Sequence, residues 1–317
     1  MGAALAAKKM TGQDRPYRAG LAALVGLPNA GKSSIVNALL REHAAAVSSK
    51  PQTTRNAVRC VLTTGEYQMI LIDTPGTHRP RYELGRFMTE EIDRAFESAD
   101  AVCFVVETGY EPARALDEIY PRLEKAGVPI VLAINKIDRL RGKDEEIFWK
   151  FLEPIQERIK PAAVVPVSAL DGTNLDVLAL ELSRLLPEGE AIYPEDVLMD
   201  ATERFLAAEI IRERIFETTE REVPHSVAVV VEEFKSPDEY PELRRIEARA
   251  NIIVERPGQK GILIGSEGTK LKSITAEARR EMERRFGYPV SLSLWVKVNP
   301  QWTKSTVGIR NAGYRRA

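Results

Sequence analysis

A glycine-rich segment near the amino terminus has the residue types that hold a phosphate chain. From Gly26 to Ser33 the sequence is Gly-Leu-Pro-Asn-Ala-Gly-Lys-Ser, which fits the phosphate-loop pattern G-x-x-x-x-G-K-S. It follows an apolar run and opens a helical pattern, so backbone N–H groups and the helix N-terminus can surround phosphate oxygens. We expect Lys32 to reach the β- and γ-phosphates and the Ser33 hydroxyl to bind Mg²⁺.

A second segment, Asp-Thr-Pro-Gly at 73–76, follows the apolar run Met69–Ile72. An aspartate at a strand end can hold Mg²⁺, usually through water, and the Gly76 N–H can meet the γ-phosphate. Alone, this pattern is an ordinary turn. Its position after the phosphate loop favours the nucleotide-binding interpretation.

A third segment, Asn-Lys-Ile-Asp at 135–138, can distinguish guanine from adenine. The Asp138 carboxylate can accept hydrogen bonds from guanine N1–H and the exocyclic amine. Adenine would leave that charged acceptor unpaired, at a cost of about 1–3 kcal/mol or more. Asn135 would brace the base and the phosphate loop, and the Lys136 stem would cover one face of the base.

The tripeptide Ser168-Ala-Leu follows the next apolar run, where the Ala169 N–H can donate to guanine O6. In this order, the four segments predict a pocket that binds GTP and hydrolyses it, and Asp138 argues against a phosphate-loop ATPase. The residues predicted to contact the nucleotide are Gly26, Asn29, Ala30, Gly31, Lys32, Ser33, Ser34, Asp73, Gly76, Asn135, Lys136, Asp138, Ser168 and Ala169.

The elements that must position these residues follow from hydrophobic patterning. Continuous apolar runs separated by helical patterns predict an α/β domain with a mainly parallel sheet at 19–187, after a flexible tail at 1–18. The runs are Leu21–Val25, Val58–Thr63, Met69–Ile72, Ala101–Val106, Ile130–Ile134 and Val164–Val167; the helical patterns include Lys32–Leu40, Tyr82–Ser98, Ala113–Ala126 and Asn174–Leu186.

The remaining chain predicts a smaller α+β domain at 197–317, after a Pro- and Gly-containing linker at 188–196. Its elements run α-β-β-α-α-β: a helix over Ala201–Glu222, strands at Ser226–Phe234 and Glu247–Glu255, two helices ending near Phe286, and a strand at Val290–Val298. Gly-Ser-Glu-Gly at 265–268 joins the two adjacent helices. This order indicates a KH domain of the bacterial topology, in which a G-x-x-G turn lets nucleic-acid backbone approach closely.

Charge distribution also points to an anionic partner for the second domain. The whole chain has a net charge of −1, but residues 249–317 contain 14 Lys and Arg against 5 Glu, a net charge of +9. Residues 1–248 therefore carry a net charge of −10. Solvated helix faces are the alternative explanation. The residues predicted to contact RNA are Arg256, Lys260, Gly265, Ser266, Gly268, Lys270 and Lys272.

The nucleotide loops resemble those of the translation-factor-related GTPases. The resemblance identifies Gln52-Thr-Thr-Arg55 as the first switch and implies that Thr54 is the Mg²⁺ ligand that senses the γ-phosphate, with Thr53 as the alternative. Lys32, Thr54 and Gly76 are then the residues expected to take part in catalysis.

The residue after Gly76 is Thr77, where Ras-like proteins have a glutamine that orients water. Water must therefore be positioned by backbone groups and Mg²⁺, and a second cation is one further way to position it. Asn29 resembles the asparagine of GTPases that use potassium in this role. An asparagine that simply favours the loop turn is the competing interpretation.

Together the two halves resemble the Era family, bacterial GTPases with a C-terminal KH domain. The most specific stretch is Val-Glu-Arg-Pro-Gly-Gln-Lys at 254–260, followed by Ile264-Gly265. The resemblance implies binding to 16S ribosomal RNA near its 3′ end, within the 30S subunit, and a role in small-subunit maturation. One departure is Glu267, whose carboxylate occupies a turn that is expected to face phosphate.

Other features bound the cellular setting. No apolar run is long enough for a membrane span. Separately, we expect a monomer in the cytoplasm, with peripheral contact at the inner membrane face left open for the basic end. Cys60 and Cys103 lie in strand-like runs and predict buried free thiols. The alternative function is a signalling GTPase whose second domain binds protein or a membrane surface.

Overall fold

The computed structural model describes residues 16–48, 50, 52–77, 80, 82–108, 112–140, 149, 152–153, 155–220 and 223–314. The first domain contains strands β1 (Arg18–Val25), β2 (Val58–Thr63), β3 (Tyr67–Asp73), β4 (Ala101–Glu107), β5 (Ile130–Asn135) and β6 (Ala163–Pro166). Its labelled helices are α1 (Lys32–Leu40), α2 (Glu83–Ser98), α3 (Pro112–Ala126) and α4 (Leu175–Ser183). A helical segment at 155–159 precedes β6.

The sheet of the first domain has the order β6-β5-β4-β1-β3-β2-β7, where β7 is Met199–Asp200. Strands β3, β1, β4, β5 and β6 pair in parallel, whereas β2 is antiparallel to both of its neighbours. Two apolar cores cover opposite faces of the sheet. Burial on both faces explains why the strands are continuously apolar in the sequence. The predicted mainly parallel α/β domain is confirmed.

The second domain contains helices α5 (Glu203–Thr218) and α6 (Val223–Ser226), then strands β8 (Ala228–Lys235) and β9 (Ile246–Val254). Helices α7 (Pro257–Ile264) and α8 (Thr269–Phe286), strand β10 (Val290–Val298) and a short helix α9 (Thr306–Asn311) follow. The sheet order is β10-β9-β8, with β10 parallel and β8 antiparallel to β9. This arrangement confirms the predicted α-β-β-α-α-β order.

The chain between the two domains contacts the first sheet, including at residues 199–200, which follow the linker expected at 188–196. Strand β7, at 199–200, pairs with Arg59 and Cys60 at the edge of the first sheet. Within the expected linker, the Gln68 side chain donates to the Tyr193 carbonyl over 2.7 Å and accepts from the Tyr193 N–H over 2.8 Å. Tyr193 and strand β7 are therefore attached to the sheet of the first domain. Thr202 then caps α5, its side chain accepting from the Phe205 N–H.

The single helix expected over Ala201–Glu222 ends early. Helix α5 stops at Thr218, and Thr219 takes an extended conformation. The Thr219 side chain donates to the Ile215 carbonyl over 2.6 Å, which competes with continued helical hydrogen bonding.

Both cysteines are buried and free, as expected from the sequence. Burial raises the pKa of each thiol to about 12. Among the described residues, no helix is long and apolar enough to cross a membrane.

A third apolar cluster joins the two domains. It unites Leu84, Phe87 and Met88 of α2 with Ala228, Ile253, Trp302, Ile309, Ala312 and Tyr314 of the second domain. The Trp302 ring is fully buried and stacks on Tyr314 at a centroid distance of 5.8 Å, while its Nε1 donates to the Ser226 carbonyl over 2.9 Å. The C-terminal segment thus seals the junction between the domains.

Replacing Trp302 with Ala is expected to destabilise the protein by about 3–5 kcal/mol, because the change leaves a large cavity and removes the hydrogen bond from Trp302 Nε1 to the Ser226 carbonyl. The matched control is Trp295→Ala, since the Trp295 side chain is 50% exposed and the loss there should be about 1 kcal/mol or less. Urea unfolding followed by circular dichroism measures both. Equal losses would contradict the assigned role of Trp302.

Candidate functional site

Two glycines give the phosphate loop its shape. Gly26 and Gly31 have φ values of 159° and 93°, and Gly31 directly precedes α1. A Cβ at Gly26 would collide with the Val105 carbonyl, and one at Gly31 would collide with the Asn135 side-chain amide. The backbone can therefore turn around phosphate at the start of α1 only without side chains at these positions.

Lys32 lies buried at the floor of this loop. Its Nζ donates to the carbonyls of Gly26 and Leu27 over 3.2 and 3.1 Å. Burial lowers the pKa of Lys32 to about 8, an effect that the Asp73 carboxylate partly opposes. A bound phosphate chain would favour the charged form and raise this pKa, so Lys32 is suited to pair with phosphate.

Three side chains from different segments meet beside the loop. The Ser33 hydroxyl donates to Asp73 Oδ2 over 2.6 Å, and Thr54 Oγ1 lies 3.2 Å from the same oxygen and 3.0 Å from Ser33 Oγ. Thr53 Oγ1 instead donates to the Lys50 carbonyl over 2.7 Å. Of the two threonines considered for the first switch, Thr54 is the one that reaches Ser33 and Asp73.

This cluster has the composition of a site for a hard cation. Asp73 is fully buried, and within the described part of the chain its Oδ1 has no hydrogen-bond partner. Burial raises the pKa of Asp73, while hydrogen bonds from Ser33 and Thr54 and the charge of Lys32 oppose that rise. A divalent cation would satisfy the unpaired oxygen, and hydroxyl and carboxylate oxygens are the ligands that Mg²⁺ prefers. The residues fit Mg²⁺.

The base-recognition segments are tied to the phosphate loop through Asn135. Its Nδ2 donates to the Ala30 carbonyl over 2.9 Å, and its Oδ1 accepts from the Ala169 N–H over 3.1 Å. Asp138 Oδ1 accepts from the Ser168 hydroxyl over 2.8 Å. The structure thus brings together, at the carboxyl ends of β5 and β6, the residues predicted to contact guanine.

Lys136 connects the base side of the site to the phosphate side. It has a φ of 66°, and its Nζ donates to the Asn29 carbonyl over 2.6 Å and also bonds Glu107. A cleft of about 510 Å³, within the range of small-molecule sites, opens between these groups and the first switch. Its lining includes Asn29, Ser34, Gly76 and Lys136.

Thr77 does not take the position of a water-orienting side chain. It is almost fully buried, and both its N–H and its hydroxyl donate to the Gly26 carbonyl, over 3.1 and 3.4 Å. The preceding Gly76 packs so closely on Pro28 that a Cβ there would lie 2.6 Å from Pro28 Cα. This loop therefore offers backbone rather than a side chain to the phosphate end of the cleft.

The glycine turn of the second domain lies between α7 and α8. Gly265, Glu267 and Gly268 have φ values of 71°, 50° and 75°, and Ser266 and Glu267 are exposed. The positively charged side chains around the turn are accessible to solvent: Arg256, Lys260 and Lys272 are exposed, and Lys270 is partly exposed. The turn thus presents backbone at the surface with basic side chains on both sides.

Two buried polar residues, Gln259 and Arg55, have structural roles that the sequence patterns did not predict. Gln259, in α7, accepts from the N–H groups of Glu255 and Arg256 over 3.0 Å each and donates to Ser226 Oγ over 2.7 Å. It fixes the start of the helix that leads to the glycine turn. Arg55, noted only as part of the first switch, has a fully buried side chain that contacts the second domain. Neither role gives a local sequence signal.

Comparison with known proteins agrees with both halves. A family described as 50S ribosome-binding GTPase matches residues 21–136, and the KH domain family matches 222–303. GTPase Era of Carboxydothermus hydrogenoformans is 41% identical over 298 residues, covering 94% of this chain and 98% of that protein.

Two solved structures match over most of this chain. A variant of Aquifex aeolicus Era bound to GDP and AlF4⁻ aligns with a TM-score of 0.88 at 37% identity, covering 94% of this chain and 100% of that one. Era in complex with MgGDPNP and nucleotides 1506–1542 of 16S ribosomal RNA aligns with a TM-score of 0.88 at 37% identity, covering 95% and 100%. With the phosphate loop, the guanine segments and the KH domain in one chain, this protein belongs to the Era family of GTPases.

Proposed function

We propose that this GTPase binds the 3′ end of 16S ribosomal RNA through its KH domain and acts in assembly of the small ribosomal subunit. The observation that carries the proposal is the exposed Gly265–Gly268 turn between two helices, flanked by accessible lysines. Such turns clamp nucleic-acid backbone, while single-stranded bases contact the adjoining surface.

The surface beside the turn suits single-stranded RNA. Ile262, in the last turn of α7, is 44% exposed and offers an apolar surface on which an unstacked base can rest. The basic excess over 249–317 supplies attraction to phosphate. The Era structure that aligns with 95% of this chain contains nucleotides 1506–1542 of 16S ribosomal RNA, which supports the same class of partner for this protein.

For hydrolysis we propose that Ser33, Thr54 and Asp73 hold Mg²⁺, directly or through water. The bound ion would neutralise charge on the β- and γ-phosphate oxygens. Lys32 pairs with the same phosphates, and the Gly76 N–H donates to the γ-phosphate. These three contributions are electrostatic and positional, as phosphoryl transfer requires.

Potassium is the further cation that we propose beside Asn29. Asn29 is exposed in the phosphate loop with a φ of 65°, and it lines the cleft. Thr77 donates to loop backbone, so a cation near Asn29 would supply charge stabilisation that this side chain does not. We propose that the protein acts as a cytoplasmic monomer; peripheral membrane contact is tested by the vesicle experiment below.

Asp138→Asn is expected to weaken GDP and GTP binding by about 5- to 150-fold, because the amide cannot accept both guanine hydrogen bonds. Calorimetry with GTP, GDP and ATP measures this, and the parent should bind ATP weakly. The matched control is Asp176→Asn, an exposed carboxylate in the first turn of α4. Comparable affinity of the parent for ATP and GTP would refute the guanine assignment.

Turnover is expected to be slow, and faster in potassium chloride than in sodium chloride at equal ionic strength. Asn29→Gly should bring the two rates together while GDP still binds, since glycine tolerates the positive φ at this position. Steady-state phosphate release in both salts checks this. A parent with the same rate in both salts would exclude Asn29 from the mechanism.

Gly268→Asp is expected to weaken binding of a 16S 3′-end oligonucleotide at least tenfold, because it adds bulk and negative charge where the RNA backbone must approach. Gly265 is a poorer target, since a Cβ there would lie 2.8 Å from Lys270 Cβ. A Cβ at Gly268 meets only Lys272 Cε, at 4.0 Å.

Gly287→Asp is the matched control for this experiment. Gly287 has the same φ of 75° and open space for a Cβ, but it lies at the opposite end of α8. Mobility shifts with the full-length protein at two salt concentrations compare the two variants. If Gly268→Asp binds the RNA like the parent and like Gly287→Asp, the proposed RNA contact at the glycine turn is refuted, and vesicles of anionic lipid then test the membrane alternative.

A further inference from the structure

The first switch is anchored in the second domain by a buried arginine. Arg55 Nη1 donates to the Val227 carbonyl over 2.6 Å, and Nη2 donates to the Pro224 carbonyl over 2.8 Å. The preceding residue, Thr54, contacts Ser33 and Asp73. One peptide bond therefore separates the cluster assigned to Mg²⁺ from a contact with the KH domain.

Aromatic rings enclose the Arg55 guanidinium. Nη1 also donates to the Tyr314 hydroxyl over 2.8 Å, and Cζ lies 5.8 Å from the ring centroids of both Phe216 and Tyr314. Phe87 of α2 packs edge-on against Tyr314 at a centroid distance of 5.5 Å. These rings and carbonyls form what we call the Arg55 cage. Apart from Phe87, its named residues belong to the second domain.

A second cation holds the other side of the switch. Lys50 Nζ donates to the carbonyls of Phe216 and Thr219 at the end of α5. Cations are favoured at helix C-termini, where carbonyls are unpaired and the helix dipole is negative. Lys50 and Arg55 therefore attach the chain to the KH domain on both sides of Thr54.

The cage and Thr54 are expected to move together. A buried guanidinium withdrawn from its partners leaves several desolvated groups unpaired, so partial separation is unfavourable. With the cage closed, Thr54 Oγ1 is held within 3.2 Å of Asp73 Oδ2. With the cage open, the first switch would lose its attachment to the KH domain at Arg55.

We propose that Arg55 is a positioning residue through which the docked KH domain holds Thr54 at the Mg²⁺ site, which favours GTP over GDP. The proposal rests on the proposed Mg²⁺ role of Thr54. Coupling of this kind is reciprocal: whatever factor docking adds to GTP affinity, GTP adds to docking. The orientation of the RNA-binding domain thus depends on the γ-phosphate through one side chain.

The test compares affinities of full-length variants for a non-hydrolysable GTP analogue and for GDP, by calorimetry in Mg²⁺. Tyr314→Phe removes one acceptor from Arg55 and should weaken analogue binding by about 2- to 13-fold, the value of one hydrogen bond. Arg55→Met should weaken it by about 5- to 150-fold. Affinity for GDP should change by less than a factor of about two in both variants.

Thr306→Val is the matched control. It also removes one hydroxyl from the domain junction, where Thr306 Oγ1 donates to Glu83 Oε1 over 3.2 Å, but it does not contact Arg55. Its analogue-to-GDP affinity ratio should equal that of the parent. The Mg²⁺ concentration needed for half-maximal analogue binding should rise for Tyr314→Phe and Arg55→Met, and stay constant for the control.

Thr54→Ala separates the two ways in which the proposal can fail. If this variant loses analogue affinity while Tyr314→Phe and Arg55→Met keep it, Thr54 retains its role and the coupling through Arg55 is refuted. If Thr54→Ala itself binds the analogue like the parent, the Mg²⁺ role of Thr54 is refuted and the coupling with it. If Arg55→Met does not fold, Tyr314→Phe decides, and equal losses for analogue and GDP would indicate a merely structural role.

Discussion

One buried amide holds the nucleotide site together. Asn135 donates to the Ala30 carbonyl in the phosphate loop and accepts from the Ala169 N–H in the loop after β6. Its own backbone ends β5, so three separate loops are fixed to one side chain. Gly31 is required for the same reason, since any side chain there would occupy the position of the amide. The Asn135 side chain therefore fixes the position of the phosphate loop relative to the loops predicted to contact the base.

The nucleotide site was predictable because its chemistry depends on local sequence. A phosphate loop needs glycines and a lysine at fixed spacing after a strand, and that spacing is visible without the fold. The strands were predictable because both faces of the sheet are buried, which gives continuous apolar runs. By contrast, local sequence alone does not decide which of Thr53 and Thr54 faces the proposed Mg²⁺ site. The answer depends on which hydroxyl turns towards Asp73, and neighbouring threonines do not differ in any local signal.

Features that depend on distant partners were not predictable. The two carbonyl partners of Arg55, on Pro224 and Val227, are 169 and 172 residues away in the chain, and its Tyr314 partner is 259 residues away. An arginine in a polar loop is ordinarily exposed, so its type gives no indication of burial. Strand β7 is likewise only two residues long, too short for a periodic pattern to predict it. Pairing with β2, rather than any propensity of its own, makes it a strand.

Helix α2 links the two domains because it contributes to two cores. Its apolar positions follow a single helical stripe. In the first turns, Leu84, Phe87 and Met88 pack on the KH domain. In the later turns, Ile92, Ala95 and Phe96 pack on the sheet of the first domain. The helix follows the loop that contains Gly76, and its Glu91 also accepts from the Ala57 N–H just beyond the first switch. A rigid helix shared by two cores transmits a displacement at its start to both. The segment that contains Thr54 and the helix after Gly76 are thus both attached to the second domain, the first through Arg55 and the second through the apolar side chains of α2.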